Sequence, residues 1–256
     1  MPEYRLLPAD HDSCRPTSRA SGRRRNSRIG PIPDFNETLM NLDLLTDRME
    51  EAFLKLSADD DASHDLHHSR RVKCMAMTIA RQEDAGNPAY LIAAAYLHDI
   101  VSAPKNSPLR ARASRLSAEA AAPILRDEGF GESDVEAVRH IIIAHSFSAD
   151  IRPETIEARI FQDADRIDAL GAIGIARTFF VAGKLGAALV DGGDPFARAR
   201  QLDDRQFAVD HFGVKLLRLP DTMQTETGRR IARQRAETMR QFLHALGDEL
   251  GHPSAW

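Results

Sequence analysis

Four segments carry ligand-type side chains in order: His64-Asp65 with His67-His68, then His98-Asp99, then His140 and His145, then Asp163 and Asp165. His98-Asp99 lies inside the apolar run Ala93-Ala94-Ala95-Tyr96-Leu97-His98-Asp99-Ile100-Val101, which belongs in an interior. Burying an unpaired carboxylate is expensive, so such a group is normally paired or bound to a metal. Imidazole and carboxylate together suit Mn, Fe, Ni, Co or Zn, and carboxylate with waters holds Mg. An open site of this type activates a water for attack on phosphorus.

Helical spacing sorts the candidates. His64 and His68 are four apart and share one face. Asp163 and Asp165 are about 200° apart and do not. Asp163 is therefore an outer partner or a salt-bridge member, as is Asp168. His140 and His145 lie about 140° apart, so they do not bind one metal together. His145, at a helix end before Ser146, is placed to contact phosphate or protonate a leaving group, with an ordinary capped histidine as the alternative. His140 is read as an outer partner, and so are His64 and Asp65, although Asp65 also suits a helix N-terminus on dipole grounds.

Cations follow the central pair. Lys105, Arg110 and Arg112 stand with Ser107 and Ser114 in the stretch after Val101. A polyphosphate needs such charge, and Arg offers a planar fork for two oxygens. His211 and Lys215, one turn apart on an expected helix, form a second candidate phosphate contact. Other chemistries find no support. There is no glycine-rich phosphate loop, no G-x-S-x-G elbow and no plausible cysteine nucleophile. Aromatics are 6% of residues, with no base-stacking series of the kind single-strand binders use.

Charge is unevenly spread. Residues 1–35 hold seven Arg against four acids, leaving about -7 on the rest of a chain whose net charge is -4. An acidic body argues against a nucleic-acid partner. Cys14 and Cys74 form no C-x-x-C pair and read as reduced thiols. No stretch approaches the roughly 18 apolar residues of a membrane helix, and no secretory signal opens the chain. These features predict a cytoplasmic protein without a membrane partner.

Residues 1–35, rich in Arg, Ser and Pro, lack apolar periodicity and are expected as a disordered extension. From residue 36 the pattern is helical. Leu39, Leu42, Leu45, Met49, Phe53 and Leu56 give one apolar face. A second helix is expected from His64 to Glu83, and Asn87-Pro88 caps a third that ends on the His98-Asp99 pair. Further helices are expected over 113–127, from a Ser133/Glu136 capping box to His145, from Pro153 through Asp168, over 204–217 and over 226–250. Gly171 and Gly174 suggest close backbone packing. No alternating strand or internal repeat is found, so the class is all-α with one domain over 36–256.

An H-x-x-R-V histidine, an H-D pair about thirty residues on, and an aspartate in an A-D-R-I context resemble the HD-domain metal-dependent phosphohydrolase superfamily. The resemblance runs from about Ala62 to Leu250. It implies a single HD-type helical bundle and a divalent metal held by His68, His98, Asp99 and Asp165, with Asp99 also catalytic. Segments such as Gln162-Asp163-Ala164-Asp165-Arg166 and Asp210-His211-Phe212 resemble a bacterial branch that includes nucleoside triphosphate pyrophosphatases. That likeness implies a nucleotide substrate, release of pyrophosphate, and His211 and Lys215 at the site. A nucleoside monophosphate phosphatase and a non-catalytic metal-stabilised module remain as alternatives, and homodimerisation is an open expectation.

Overall fold

The computed structural model describes residues 42–56, 65–101, 112–146 and 149–256. The extension at 1–35, His64, Lys105, Ser107 and Arg110 lie outside these residues. The described residues form helices α1 (Leu42–Leu56), α2 (Leu66–Glu83), α3 (Pro88–Leu97), α4 (Ala113–Asp127), α5 (Glu132–His145), α6 (Ile156–Asp168), α7 (Gly171–Lys184), α8 (Asp210–Val214) and α9 (Glu226–Leu250). A 3-10 segment, Leu216–Thr222, joins α8 to α9. One isolated bridge between Ala188 and Phe207 is the extent of β pairing among the described residues. The all-α class holds. No described helix is long and apolar enough to cross a membrane.

α3 is the axis of the bundle. Its ten residues are apolar all round, and a helix of that kind has to be enclosed. Ala89 and every residue from Leu91 to Leu97 are buried, among α1, α2, α5 and α6. Each large side chain so enclosed contributes about 1.5–3 kcal/mol. Asn87 starts the helix, its Oδ1 accepting from Ala89 N at 3.0 Å, with Pro88 at the first position. Asp65 performs the same task for α2, accepting from His68 N at 2.8 Å.

Several boundaries differ from expectation, each for a local reason. α5 starts at Glu132, because Gly131 is extended and donates its N–H to Asp134 Oδ2 at 3.2 Å. The box from Ser133 is not used. α6 starts at Ile156 rather than Pro153, because Thr155 Oγ1 accepts from Ala158 N at 3.2 Å. Over 204–217, Asp203 accepts from Arg205 N at 3.0 Å and Gln206 Nε2 at 2.8 Å. Such side-chain turns compete with helix formation, and only α8 survives there. Of the two cysteines expected as reduced thiols, Cys74 lies on α2 and Cys14 lies outside the described residues.

Two close approaches lock the C-terminal half. A Cβ on Gly174 would meet Ala169 O at 2.1 Å, so α7 sits tight on the end of α6 as its glycines suggest. Asp163 is fully buried and accepts from Gln224 N at 2.8 Å, Thr225 N at 2.8 Å and Thr225 Oγ1 at 2.7 Å. It fastens α6 to the head of α9. Gly228 leaves room for that carboxylate, since a Cβ there would lie 2.3 Å from Asp163 Oδ2. Asp163→Ala leaves buried donors unpaired and is expected to cost roughly 2–4 kcal/mol, read as a lowered melting temperature in thermal denaturation.

Candidate metal centre

Three histidines and two aspartates converge where four helices meet. His68 comes from the first turn of α2, His98 caps the C-terminus of α3 with Asp99 beside it, and His145 ends α5. Asp165 projects from α6. His68, His98 and Asp165 can place ligand atoms within 4.8 Å of one another, and so can His98, Asp99 and His145. His98 belongs to both groups. The imidazoles are buried, at 2%, 1% and 7% exposure, whereas the Asp99 and Asp165 side chains are 24% exposed. The cluster therefore opens on its carboxylate side.

Each imidazole is locked through Nδ1. His68 Nδ1 donates to Asp168 Oδ2 at 2.8 Å, His98 Nδ1 to Ala95 O at 3.1 Å, and His145 Nδ1 to Ile142 O at 2.5 Å. All three Nε2 atoms consequently face the cluster. Two of them, on His68 and His98, stand only 3.3 Å apart. Asp99 Oδ2 lies 3.2 Å from His98 Nε2, and Asp165 Oδ1 lies 3.5 Å from His68 Nε2. Lone pairs and anionic oxygens crowded together repel unless a cation sits among them. The donor set fits a divalent ion of the kind that takes imidazole and carboxylate together.

The titration behaviour says the same. Burial lowers the pKa of His68, against the pull of Asp168 and Asp165, which favours the neutral ligand form. Burial would also lower His145, but the Asp99 carboxylate, 3.6 Å away, outweighs it together with Asp165 and the Ile142 carbonyl. The His145 imidazole is pushed up to about 8. In the metal-free protein its proton supplies the positive charge that the cluster wants.

Behind His68 stands a second network. Asp168 is buried and receives Arg71 Nε at 2.7 Å, Arg71 Nη2 at 3.0 Å and Arg177 Nη1 at 2.7 Å besides His68. Burial alone would raise its pKa, yet His68 and Arg71 hold it well below the usual carboxylate range. A carboxylate that is ionised throughout the neutral range keeps Nδ1 of His68 protonated and Nε2 free. Phe161, one turn before Asp165, sets its ring 5.4 Å from that of His98 and 6.2 Å from that of His145, nearly perpendicular to His145.

The other sequence candidates are not among the five converging side chains. Asp65 caps α2 under the backbone of His68. Asp163 turns to α9 rather than to the histidines, and Asp168 holds the orienting role. His140 Nε2 accepts from Glu154 N at 3.1 Å, a contact between α5 and the approach to α6. His211 Nδ1 pairs with Asp204 Oδ2 at 2.8 Å, and Lys215 is exposed at the end of α8. Arg112 is exposed at the head of α4. Arg177 and Phe161 were not among the sequence candidates. Neither has a local signal, since each acts across the bundle on a residue of another element or another turn.

A family model for the HD domain matches residues 65–170. The Bacillus subtilis protein YpgQ is 34% identical over 197 residues, which covers 75% of this chain and 87% of YpgQ. The chain belongs to the HD-domain family. Its fold is also similar to the crystal structure of Bacillus subtilis YpgQ in complex with ADP, at 33% identity and a TM-score of 0.65, covering 82% of this chain and 97% of that one. A crystal structure of an HD-superfamily hydrolase from Bacillus thuringiensis matches at 31% identity and a TM-score of 0.62, covering 82% and 96% of the two chains. The matched HD region contains all five converging side chains and Asp168, and the likeness to an HD-superfamily hydrolase supports a hydrolase role in general terms.

Two measurements test this centre. Because the folded value for His145 lies above the ordinary imidazole value of about 6.5, its protonation adds stability at low pH. That contribution is lost as pH rises through about 8. In the metal-free protein, NMR is expected to show the His145 ring titrating near 8, and a divalent ion is expected to abolish that titration. Asp168→Asn is expected to weaken metal binding about 10–100-fold by calorimetry, because the imidazole loses its orienting partner.

Proposed function

We propose that this HD protein is a metal-dependent nucleotide phosphohydrolase. The observation that carries the reading is the one-sided opening of the cluster: buried imidazoles behind, half-buried Asp99 and Asp165 in front. A closed ligand set suits a structural metal, and an open one suits catalysis. The ADP in the YpgQ complex supports a nucleotide as the substrate class.

In this reading His68, His98, Asp99 and Asp165 hold one divalent ion, because the single Nε2 lone pair of His98 serves one ion. The ion, when bound, lowers the pKa of a water and polarises a phosphoryl oxygen. The residues do the rest. Asp168 keeps His68 in its ligand tautomer, with Arg71 and Arg177 fixing the carboxylate. His145 Nε2, 3.6 Å from Asp99, can take a proton from the attacking water and pass it to the departing oxygen. Arg112 and Lys105, and with them His211 and Lys215, are the proposed phosphate contacts, neutralising charge that is spread over the oxygens. For a nucleoside triphosphate, water attacks the α-phosphorus, the bond to the α–β bridging oxygen breaks, and nucleoside monophosphate and pyrophosphate leave.

A nucleotide panel with Mn, Mg, Ni or Co, read separately for pyrophosphate and for phosphate, tests the proposal. Triphosphates are expected to give pyrophosphate. His98→Ala and Asp99→Ala are each expected to lose at least about a thousandfold in kcat/KM, roughly 4 kcal/mol. Full turnover by those variants after chelation would overturn a metal-dependent reaction. Phosphate released from monophosphates alone would reassign the substrate.

A further inference from the structure

Resting on the nucleotide reading above, we propose that the head of α4 binds the phosphoryl groups distal to the one held at the metal centre, with the Ser114 hydroxyl as a donor. The first turn of α4 runs Ala113-Ser114-Arg115, after Arg112 at the cap position. It contains no acidic residue, and Arg112 makes no side-chain cap bond. A helix N-terminus carries about half a positive charge and favours acids. Here Arg112 and Arg115 add charge of the same sign, an arrangement that an oxyanion would turn from unfavourable to favourable.

Ser114 is the independent observation. It is 3% exposed, and its Oγ has no hydrogen-bond partner. Buried hydroxyls without a partner are rare and call for an explanation. Cα–Cβ bonds tilt toward a helix N-terminus, which sets the Cβ of this first-turn serine toward the head of α4. Backbone N–H groups, a hydroxyl and guanidinium groups gathered there match the oxygens of phosphate or pyrophosphate.

The position suits a substrate longer than one phosphate. One turn beyond Ser114, Ser117 Oγ accepts from Val101 N at 3.1 Å. Val101 is two residues past Asp99, so the head of α4 is anchored within roughly 10–15 Å of that ligand. Phosphoryl groups trailing from the metal centre toward α4 would meet Ser114 and Arg115 after the reacting phosphorus.

The test uses the full chain loaded with manganese, and calorimetric binding of inorganic pyrophosphate and of orthophosphate. Ser114→Ala and Arg115→Gln are each expected to weaken pyrophosphate binding at least about fivefold, while orthophosphate binding changes less than about twofold. In the metal-free protein Ser114→Ala is expected to keep or raise the melting temperature, because it deletes an unsatisfied buried group. Unchanged pyrophosphate affinity in Ser114→Ala overturns the proposal. So does an equal loss of both anions with a fall in melting temperature, which would make Ser114 structural. If the wild type hydrolyses no triphosphate but its pyrophosphate affinity depends on Ser114, the reaction assignment fails and this anion site stands. If triphosphates are hydrolysed with the same KM in wild type and Ser114→Ala, and pyrophosphate affinity is unchanged, the reaction stands and this site fails.

Discussion

Mutual repulsion inside the cluster is the constraint on which the rest depends. The Nε2 atoms of His68 and His98 and the oxygens of Asp99 and Asp165 are held closer than their charge and lone pairs would choose. Only a rigid surround can keep them so. α3 supplies it from one side by being enclosed along its length, and the Nδ1 locks supply it ring by ring. Asp168, clasped by Arg71 and Arg177, completes the surround at the back. The fold therefore stores a demand for positive charge, met by a proton on His145 when no ion is bound and by the ion when one is.

Two aspartates one and a half turns apart on α6 show how position divides labour. Asp163 is fully buried and spends its oxygens on the head of α9. Asp168 is also buried but faces α2 and α7. Between them Asp165 stays half-buried at the opening. Identical side chains become a fastener, a candidate ligand and an orienting group according to what each meets across the helix. The same helix thus couples the integrity of the metal centre to the docking of the C-terminal α9.

Much of this was readable from residue types and spacing. The helical class, the start of α3 at Asn87-Pro88 and the extent of α4 follow from local capping and periodicity. The convergence of His68, His98, Asp99 and Asp165 follows from their order in the HD pattern. What was not readable depends on contacts between distant segments. Arg71 and Asp168 are 97 residues apart, and nothing local marks either as the other's partner. Asp163 differs from Asp168 only through the elements opposite it. The turn chemistry of Asp203 and Thr155 overrode the apolar pattern and the Pro153 signal in the same way.

The enclosure of α3 also bears on how such an enzyme can diversify. A stretch buried on every face, as Leu91–Leu97 is, has no position at which a side chain can change size without disturbing several neighbours. The segment carrying the His98-Asp99 pair is therefore frozen against drift. New substrate preferences have to arise in peripheral positions, such as Arg112 and Arg115 on α4, where an altered side chain meets solvent rather than core. Chemistry and selectivity are consequently housed in parts of the chain with opposite tolerance to mutation.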